Sequence, residues 1–293
     1  MMIITDTASD IMESEAEEKN IKLATLGILF GDITIGRNTP ENTQRFYDLL
    51  LNSGEFPQTS RPSPEIYLEY IEEAKANDEE VLILTLSSSI SGTYESACLA
   101  AKLSEYPHVT VIDSKLAICA QRMLVEYAIG LRDEGKTLAE AVPLIEHFRG
   151  RIRLLGYVDT LTYLRKGGRI PAPLATIGNL LNIKPIVTIA DGELTSLQKT
   201  RSIKAAKKAV WKRMQEDIID HNYPIVGIYA DNPEPIAQWA EESKEVFGVD
   251  EIPLFQSMGV IAAHLGPNCA GFCYVAAENQ TQTKDATQAT EAE

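Results

Sequence analysis

Cations are scarce in this chain. Its 293 residues carry 27 Lys and Arg against 42 Asp and Glu, a formal net charge of −15. That balance excludes a protein that grips nucleic-acid phosphates or an anionic membrane surface. Residues 277–293 hold −3 of the charge and the rest of the chain −12, so the acidity is general and any bound anion has to be held locally. Histidine and cysteine are scarcer still, at four each. Cys98, Cys119, Cys269 and Cys273 lie in apolar contexts without the paired spacing of a zinc site or a disulfide framework, so reduced, buried thiols and no metal are expected. No apolar run approaches the roughly 20 residues of a membrane span. Asp6 and Asp10 break the only apolar N-terminal run, so no secretory signal is read and a cytoplasmic location is expected. The patterns G-x-x-x-x-G-K-[ST], G-x-G-x-x-G, D-x-D and H-x-x-H are all missing, which removes direct support for a bound nucleotide or metal.

What is present is an alternation of short β-branched runs with helical stretches over the first half, the pattern of a mostly parallel sheet covered by helices. "MMIIT", "IKLATLGILF", "VLILTL" and "VTVID" read as strands. Between them lie helices opened by Asp10, by Pro40, by Ser63 and Pro64, and by Gly92, followed by two more over 116–134 and 137–148. The second half reads as a smaller α+β layer: a strand "RIRLLGYV", a hairpin whose Asp191-Gly192 pair suits a type I′ turn, a helix from Ser202 to about Asp220, and further strands in "IVGIYA", "EIPLFQ" and "AGFCYVA". The expected organisation is an N-terminal α/β domain over 1–150, a C-terminal domain over 151–278 and a disordered polar tail over 279–293.

Hydroxyls cluster at three loops. "SSSISGT" follows the strand "VLILTL" and opens a helix, so its side chains stand where open α/β sheets place ligands and where a helix presents unsatisfied N–H groups. "QTSRPSPE" repeats the plan with Thr59, Ser60 and Ser63, and "TDTASDI" offers Thr5, Thr7 and Ser9. Short hydroxyls with few cations suit one carboxylate or phosphate better than a polyanion. The competing explanation is that Ser91 or Thr93 simply caps the helix. Nucleophilic catalysis is a third reading, but Ser91 sits in I-S-G-T rather than a G-x-S-x-G elbow. His108, His147 and His221 lie in charged contexts, leaving His264 in "VIAAHLGP" as the one site histidine, with a hydrogen-bonded core role as its alternative. Arg165, Lys166 and Arg169 flank two glycines in "RKGGRI", which reads equally as an anion contact or as a basic helix end.

Taken together, "TDTASD", "TSRPSP", "SSSISGTYESA", "VIDSK", "VDTLTYLRKGGRI", "KPIVTIADGEL", "TRS" and "HLGP" occur in an order that resembles the DegV family of fatty-acid-binding proteins, over residues 3 to 277. The resemblance implies a two-domain α/β fold with a long-chain fatty acid held between the domains, its acyl chain in an apolar tunnel. By motif, Thr59 and Ser91 would contact the carboxylate. Ser60, Ser88, Ser89, Gly92, His264 and Arg169 would line the same pocket, and Arg169 and Arg201 would face a partner. Members of the family in bacteria resemble a substrate carrier: the bound acid is presented to a separate fatty-acid kinase that forms acyl phosphate. The resemblance implies no catalytic residue and no cofactor beyond the lipid. The net charge and the lack of a long apolar run add the expectation of no nucleic-acid partner and no integral association with a membrane.

Burying about fifteen methylenes at roughly 0.8 kcal/mol each yields about 12 kcal/mol gross. Affinity is therefore expected from the tunnel and orientation from the hydroxyls. Two departures stand out: Ala120 and Arg122 occupy a segment where the family tends to small, glycine-rich residues, and Arg61 stands where the family often has Gln. Both bear on acyl length or unsaturation preference if those residues stand beside the tunnel, or on helix packing if they do not. The alternative from another class is a serine-dependent lipid esterase or acyl transferase using Ser91 with His264 as base.

Overall fold

Runs such as Val81–Leu86, apolar at nearly every position, form strands covered on both faces, because alternation is lost when neither face meets water. The computed structural model describes residues 1–175 and 183–278; the polar tail expected to be disordered lies outside them. The chain forms two compact units. One comprises Met1–Arg149 with Met258–Ala263, the other Gly150–Ser257 with the chain from His264. The later segment Met258–Ala263 thus groups with the first unit, although the sequence placed all of 151–278 together.

The first unit runs β1 (Met2–Asp6), α1 (Glu13–Glu18), β2 (Lys22–Ala24), β3 (Gly27–Phe30), β4 (Ile33–Ile35), α2 (Pro40–Asn52) and β5 (Gln58–Ser60). It continues with α3 (Pro64–Ala76), β6 (Val81–Thr85), α4 (Thr93–Ser104), β7 (Val109–Asp113), α5 (Ile118–Asp133) and α6 (Leu138–Arg149). Strands β2-β1-β6-β7 make an all-parallel sheet, with Ile4 opposite Ile83 and Ile83 opposite Val111. On one face Met2, Ile4, Val81 and Ile83 share a core with Tyr67 and Ile71 of α3 and Ala97 and Ala100 of α4. A separate antiparallel ribbon, β4-β3-β5, carries the loop "TSRPS" at the end of β5.

Two sequence expectations change here. "IKLATLGILF" is two strands in two sheets, because the chain breaks at Thr25-Leu26, where the Leu26 N–H donates to Thr7 Oγ1. Asp10 does not open a helix. It adopts a left-handed φ of 56° and its buried carboxylate accepts from the Met258 N–H at 2.9 Å, while α1 starts at Glu13 with Glu15 accepting from the Met12 N–H. A contact made 248 residues away outweighs the local capping pattern. Burial holds the Asp10 carboxyl well above its ordinary value.

The second unit contains β8 (Ile152–Tyr157), α7 (Thr162–Lys166), α8 (Ala172–Ala175), β9 (Lys184–Ala190), β10 (Glu193–Thr200), α9 (Ile203–Gln215) and β11 (Val226–Tyr229). After α10 (Glu234–Phe247) and β12 (Leu254–Gln256), α11 (Gly259–Leu265) carries residues of both units, and β13 (Ala270–Val275) closes the series. Its six-stranded sheet, β10-β9-β8-β13-β11-β12, is wider than the parallel sheet of the first unit, and only the β11–β12 pair is parallel. The Asp191-Gly192 turn has positive φ at both residues, 49° and 88°, as a type I′ hairpin requires. Gly156 and Gly271 lie opposite each other in β8 and β13; a Cβ on Gly271 would stand 2.4 Å from the Leu155 carbonyl oxygen, so only glycine fits. Helix α9 buries Ala206, Val210 and Met214, one side of a 3.6-residue period, in a core shared with Trp239, Phe272 and Tyr274. It ends at Gln215, five residues before the expected Asp220.

Candidate functional site

The serine-rich loop begins where β6, buried throughout, reaches its carboxyl end. Ser87 is fully buried, and its carbonyl accepts from the N–H groups of Ile90 and Ser91. Ser88 is held by the neighbouring strand: its Oγ donates to Asp113 Oδ2 at 2.6 Å and its N–H to Asp113 Oδ1 at 3.2 Å. The Lys115 N–H reaches the same Oδ1 at 2.9 Å, so one carboxylate ties the loops after β6 and β7 together. Ser89 is exposed and Ser91 half-buried. The capping explanation for these hydroxyls does not hold. Gly92 occupies the N-cap of α4 with no side-chain cap, and Ser91 Oγ and Thr93 Oγ1 bond to each other at 2.8 Å. The N-cap residue of α4, beside Ser91, therefore offers no side chain to its first N–H groups.

The second hydroxyl loop comes to the same place. Thr59 and Ser60 pair with Ile28 and Gly27 of β3, and Ser60 Oγ fills the space over Gly27, where a Cβ would stand 2.6 Å away. Arg61 then reaches across: its Nη1 donates to the Gly92 carbonyl at 3.3 Å. Tertiary structure thus joins the segment carrying Thr59 to the one carrying Ser91, 32 residues apart in sequence. Few cations were expected near these hydroxyls, and the same contact places one there: the Arg61 guanidinium lies on Gly92.

The third hydroxyl loop is structural. Thr5 Oγ1 donates to the Leu84 carbonyl, Thr7 Oγ1 accepts from Leu26, and Ser9 Oγ donates to the Asp6 carbonyl, all buried. Asp6 is buried as well, accepting from the Leu86 N–H at 2.7 Å and the Ala8 N–H at 3.1 Å, so it fixes the end of β1 to the start of the serine loop. Burial is the largest influence on its carboxyl and raises it from 3.8 to about 6, against the lowering effect of these bonds. The folded state then holds this proton more tightly than the unfolded chain. The group's contribution to stability is full below pH 3.8 and is lost as pH rises through about 6. A 13C-carboxyl titration is expected to show the Asp6 midpoint near 6; a midpoint near that of a free aspartate would overturn this.

In the second unit, His264 and the "RKGGR" segment lie together. Gly167 is required by the imidazole: a Cβ there would stand 2.3 Å from His264 Nδ1. Gly266, at φ 78°, accommodates the Tyr163 ring in the same way. Arg169 Nη1 donates to the Gly167 carbonyl at 2.7 Å. Burial, and then the nearby Arg169 charge, lower the imidazole to about 4, so His264 is neutral at physiological pH. Arg201 is exposed at the junction of β10 and α9. Cys269 Sγ–H donates to the Leu265 carbonyl at 3.2 Å and burial pushes its thiol up to about 12, which makes it a packing residue rather than a nucleophile. Among the described residues no group of three or more His, Cys, Asp or Glu side chains could hold a metal ion, and no helix is long and apolar enough to cross a membrane.

Arg122, at one of the positions that departs from the family pattern, is 6% exposed and pairs with Glu15 and, at 3.0 Å, with Glu126. It ties α5 to α1, so packing accounts for its size. Asp113 and Asp6 hold the serine loop in place.

The family model described as "Uncharacterised protein, DegV family" matches residues 1–277. A Thermotoga maritima protein named fatty acid-binding protein is 34% identical over 284 residues, covering 92% of this chain and 96% of its own. The solved structure of a DegV lipid binding protein from Thermotoga maritima superposes with a TM-score of 0.83 at 30% identity, covering 94% of this chain and 98% of the other. A DegV family protein from Thermus thermophilus, described as binding fatty acid, superposes with a TM-score of 0.82 at 28% identity, covering 94% and 99%.

Proposed function

The chain belongs to the DegV family, and from that premise we propose that it binds a long-chain fatty acid, with Thr59 and Ser91 holding the carboxylate. The observation that carries this reading is the meeting of the two hydroxyl loops at Arg61 and Gly92, the N-cap residue of α4. Relatives named for fatty-acid or lipid binding support the ligand class. Ser60, Ser88, Ser89 and Gly92 surround the clamp in this reading, and His264 and Arg169 join it on the strength of the family motifs. A neutral His264 would act there as a hydrogen-bonding group and not as a counter-charge. The hydroxyls add hydrogen bonds to the carboxylate without adding charge.

The further step of the proposal is presentation of the bound acid to a separate fatty-acid kinase, with Arg169 and Arg201 facing that partner. The esterase reading is weaker. Ser91 Oγ is bonded to Thr93 Oγ1, and an imidazole at about 4 is a feeble proton acceptor.

Native protein extracted with organic solvent is expected to yield close to one fatty acid per chain by mass spectrometry. The same protein is expected to turn over no chromogenic ester, and to support acyl-phosphate formation when a fatty-acid kinase and ATP are added. Protein that carries no acid and binds no added palmitate would sink the assignment; binding without transfer would remove only the kinase step.

A further inference from the structure

We propose that Arg61 is a third ligand-binding group of this site, a guanidinium that engages the carboxylate directly and so selects ionised acids over uncharged lipids of equal length. The inference rests on the fatty-acid reading above and adds a charged contact to it. Arg61 follows Thr59 and Ser60 at once in sequence and touches the residue after Ser91, so it belongs to both hydroxyl loops. A Cβ on Gly92 would lie 2.3 Å from Arg61 Nη1, 3.0 Å from its Cδ and 3.2 Å from its Cζ. The side chain therefore occupies the space that glycine leaves open, and its position is set by packing as well as by a hydrogen bond.

That hydrogen bond leaves the guanidinium largely unused. At 3.3 Å it is long, and its acceptor, the Gly92 carbonyl, already receives the Ser96 N–H in the first turn of α4. An arginine has five N–H donors in a rigid fork, so four remain. Glu65 and Glu95 lie in the first turns of α3 and α4. Among the described residues Arg61 pairs with neither, and its one hydrogen bond is to that carbonyl. An exposed arginine that lies against two hydroxyl loops with most of its donors unused is placed for an incoming anion. The planar fork fits a carboxylate with two parallel bonds, and it fits an acyl phosphate equally well.

The test compares wild-type protein with Arg61→Gln and Arg61→Lys, using palmitate and hexadecanol as displacing ligands against a fluorescent fatty-acid analogue, at low and at high salt. Arg61→Gln is expected to weaken palmitate binding by about ten- to a hundredfold. Hexadecanol affinity is expected to stay within about twofold, because the lost contact is electrostatic. The salt dependence of palmitate binding should shrink in the same variant, and Arg61→Lys should recover part of the loss. Equal effects on acid and alcohol would mean that Arg61 only covers Gly92, and no effect on either would place it outside the site; both overturn the inference while leaving fatty-acid binding intact. Wild-type protein that binds no palmitate would instead overturn the fatty-acid reading and this inference with it.

Discussion

Thr59→Ala and Ser91→Ala are each expected to weaken binding of a long-chain acid by about ten- to a hundredfold, the equivalent of one hydrogen bond to a charged group at about 1.5 to 3 kcal/mol. The double variant should lose less than the product of the two, because both hydroxyls address one carboxylate and the survivor can readjust. Burial of the acyl chain is untouched by either change, so the methyl ester of the same acid should bind all three variants alike. The two variants differ in their effect on stability. Thr59 is half-buried in a short edge strand, and its loss should alter stability by under about 0.5 kcal/mol. Ser91 is the hydrogen-bond partner of Thr93, whose side chain is fully buried, so Ser91→Ala should also cost about 1 kcal/mol of folding free energy. Competitive displacement of a fluorescent acid and urea unfolding measure the two quantities separately. Unchanged acid affinity in both single variants would remove these residues from the site.

Trp239→Ala is expected to destabilise the second unit by about 3 to 5 kcal/mol, a large share of what a domain of this size has to lose. The indole is fully buried, meets the Phe272 ring edge-on at 4.6 Å and lies 5.9 Å from the Tyr157 ring, with Lys207 Nζ 5.5 Å above it. Removing it empties the place where α9, α10 and the sheet meet in one cluster. Trp239→Phe should cost far less, about 1 to 2 kcal/mol. It keeps most of the apolar volume and deletes an indole N–H that has no acceptor among the described residues. Urea unfolding followed by near-ultraviolet circular dichroism reads both variants. Equal midpoints for the alanine variant and wild type would refute the central place given to this side chain.

Much of this architecture was written in local pattern. The buried run Val81–Leu86, the amphipathic period of α9 and the Asp191-Gly192 turn each have one favourable conformation, so strand, helix and hairpin followed from the residues alone. Hydroxyl loops at strand ends and helix starts were legible as candidates, and the resemblance to the family singled out Thr59 and Ser91 among them. The limits of that legibility are equally physical. Local pattern credited Thr5, Thr7 and Ser9 with the same promise, and they are consumed by hydrogen bonds inside the fold. Asp10 had the local features of a helix start and was taken by a backbone N–H 248 residues away.

The amino-acid sequence by itself determined the alternation of elements and the family, because these depend on residue type and short spacing. Tertiary structure alone decided that Thr5, Thr7 and Ser9 are consumed inside the fold, that a guanidinium stands over Gly92, and that His264 is uncharged. Each of those depends on desolvation and on contacts between segments far apart in the chain, and neither is encoded within any one stretch of it.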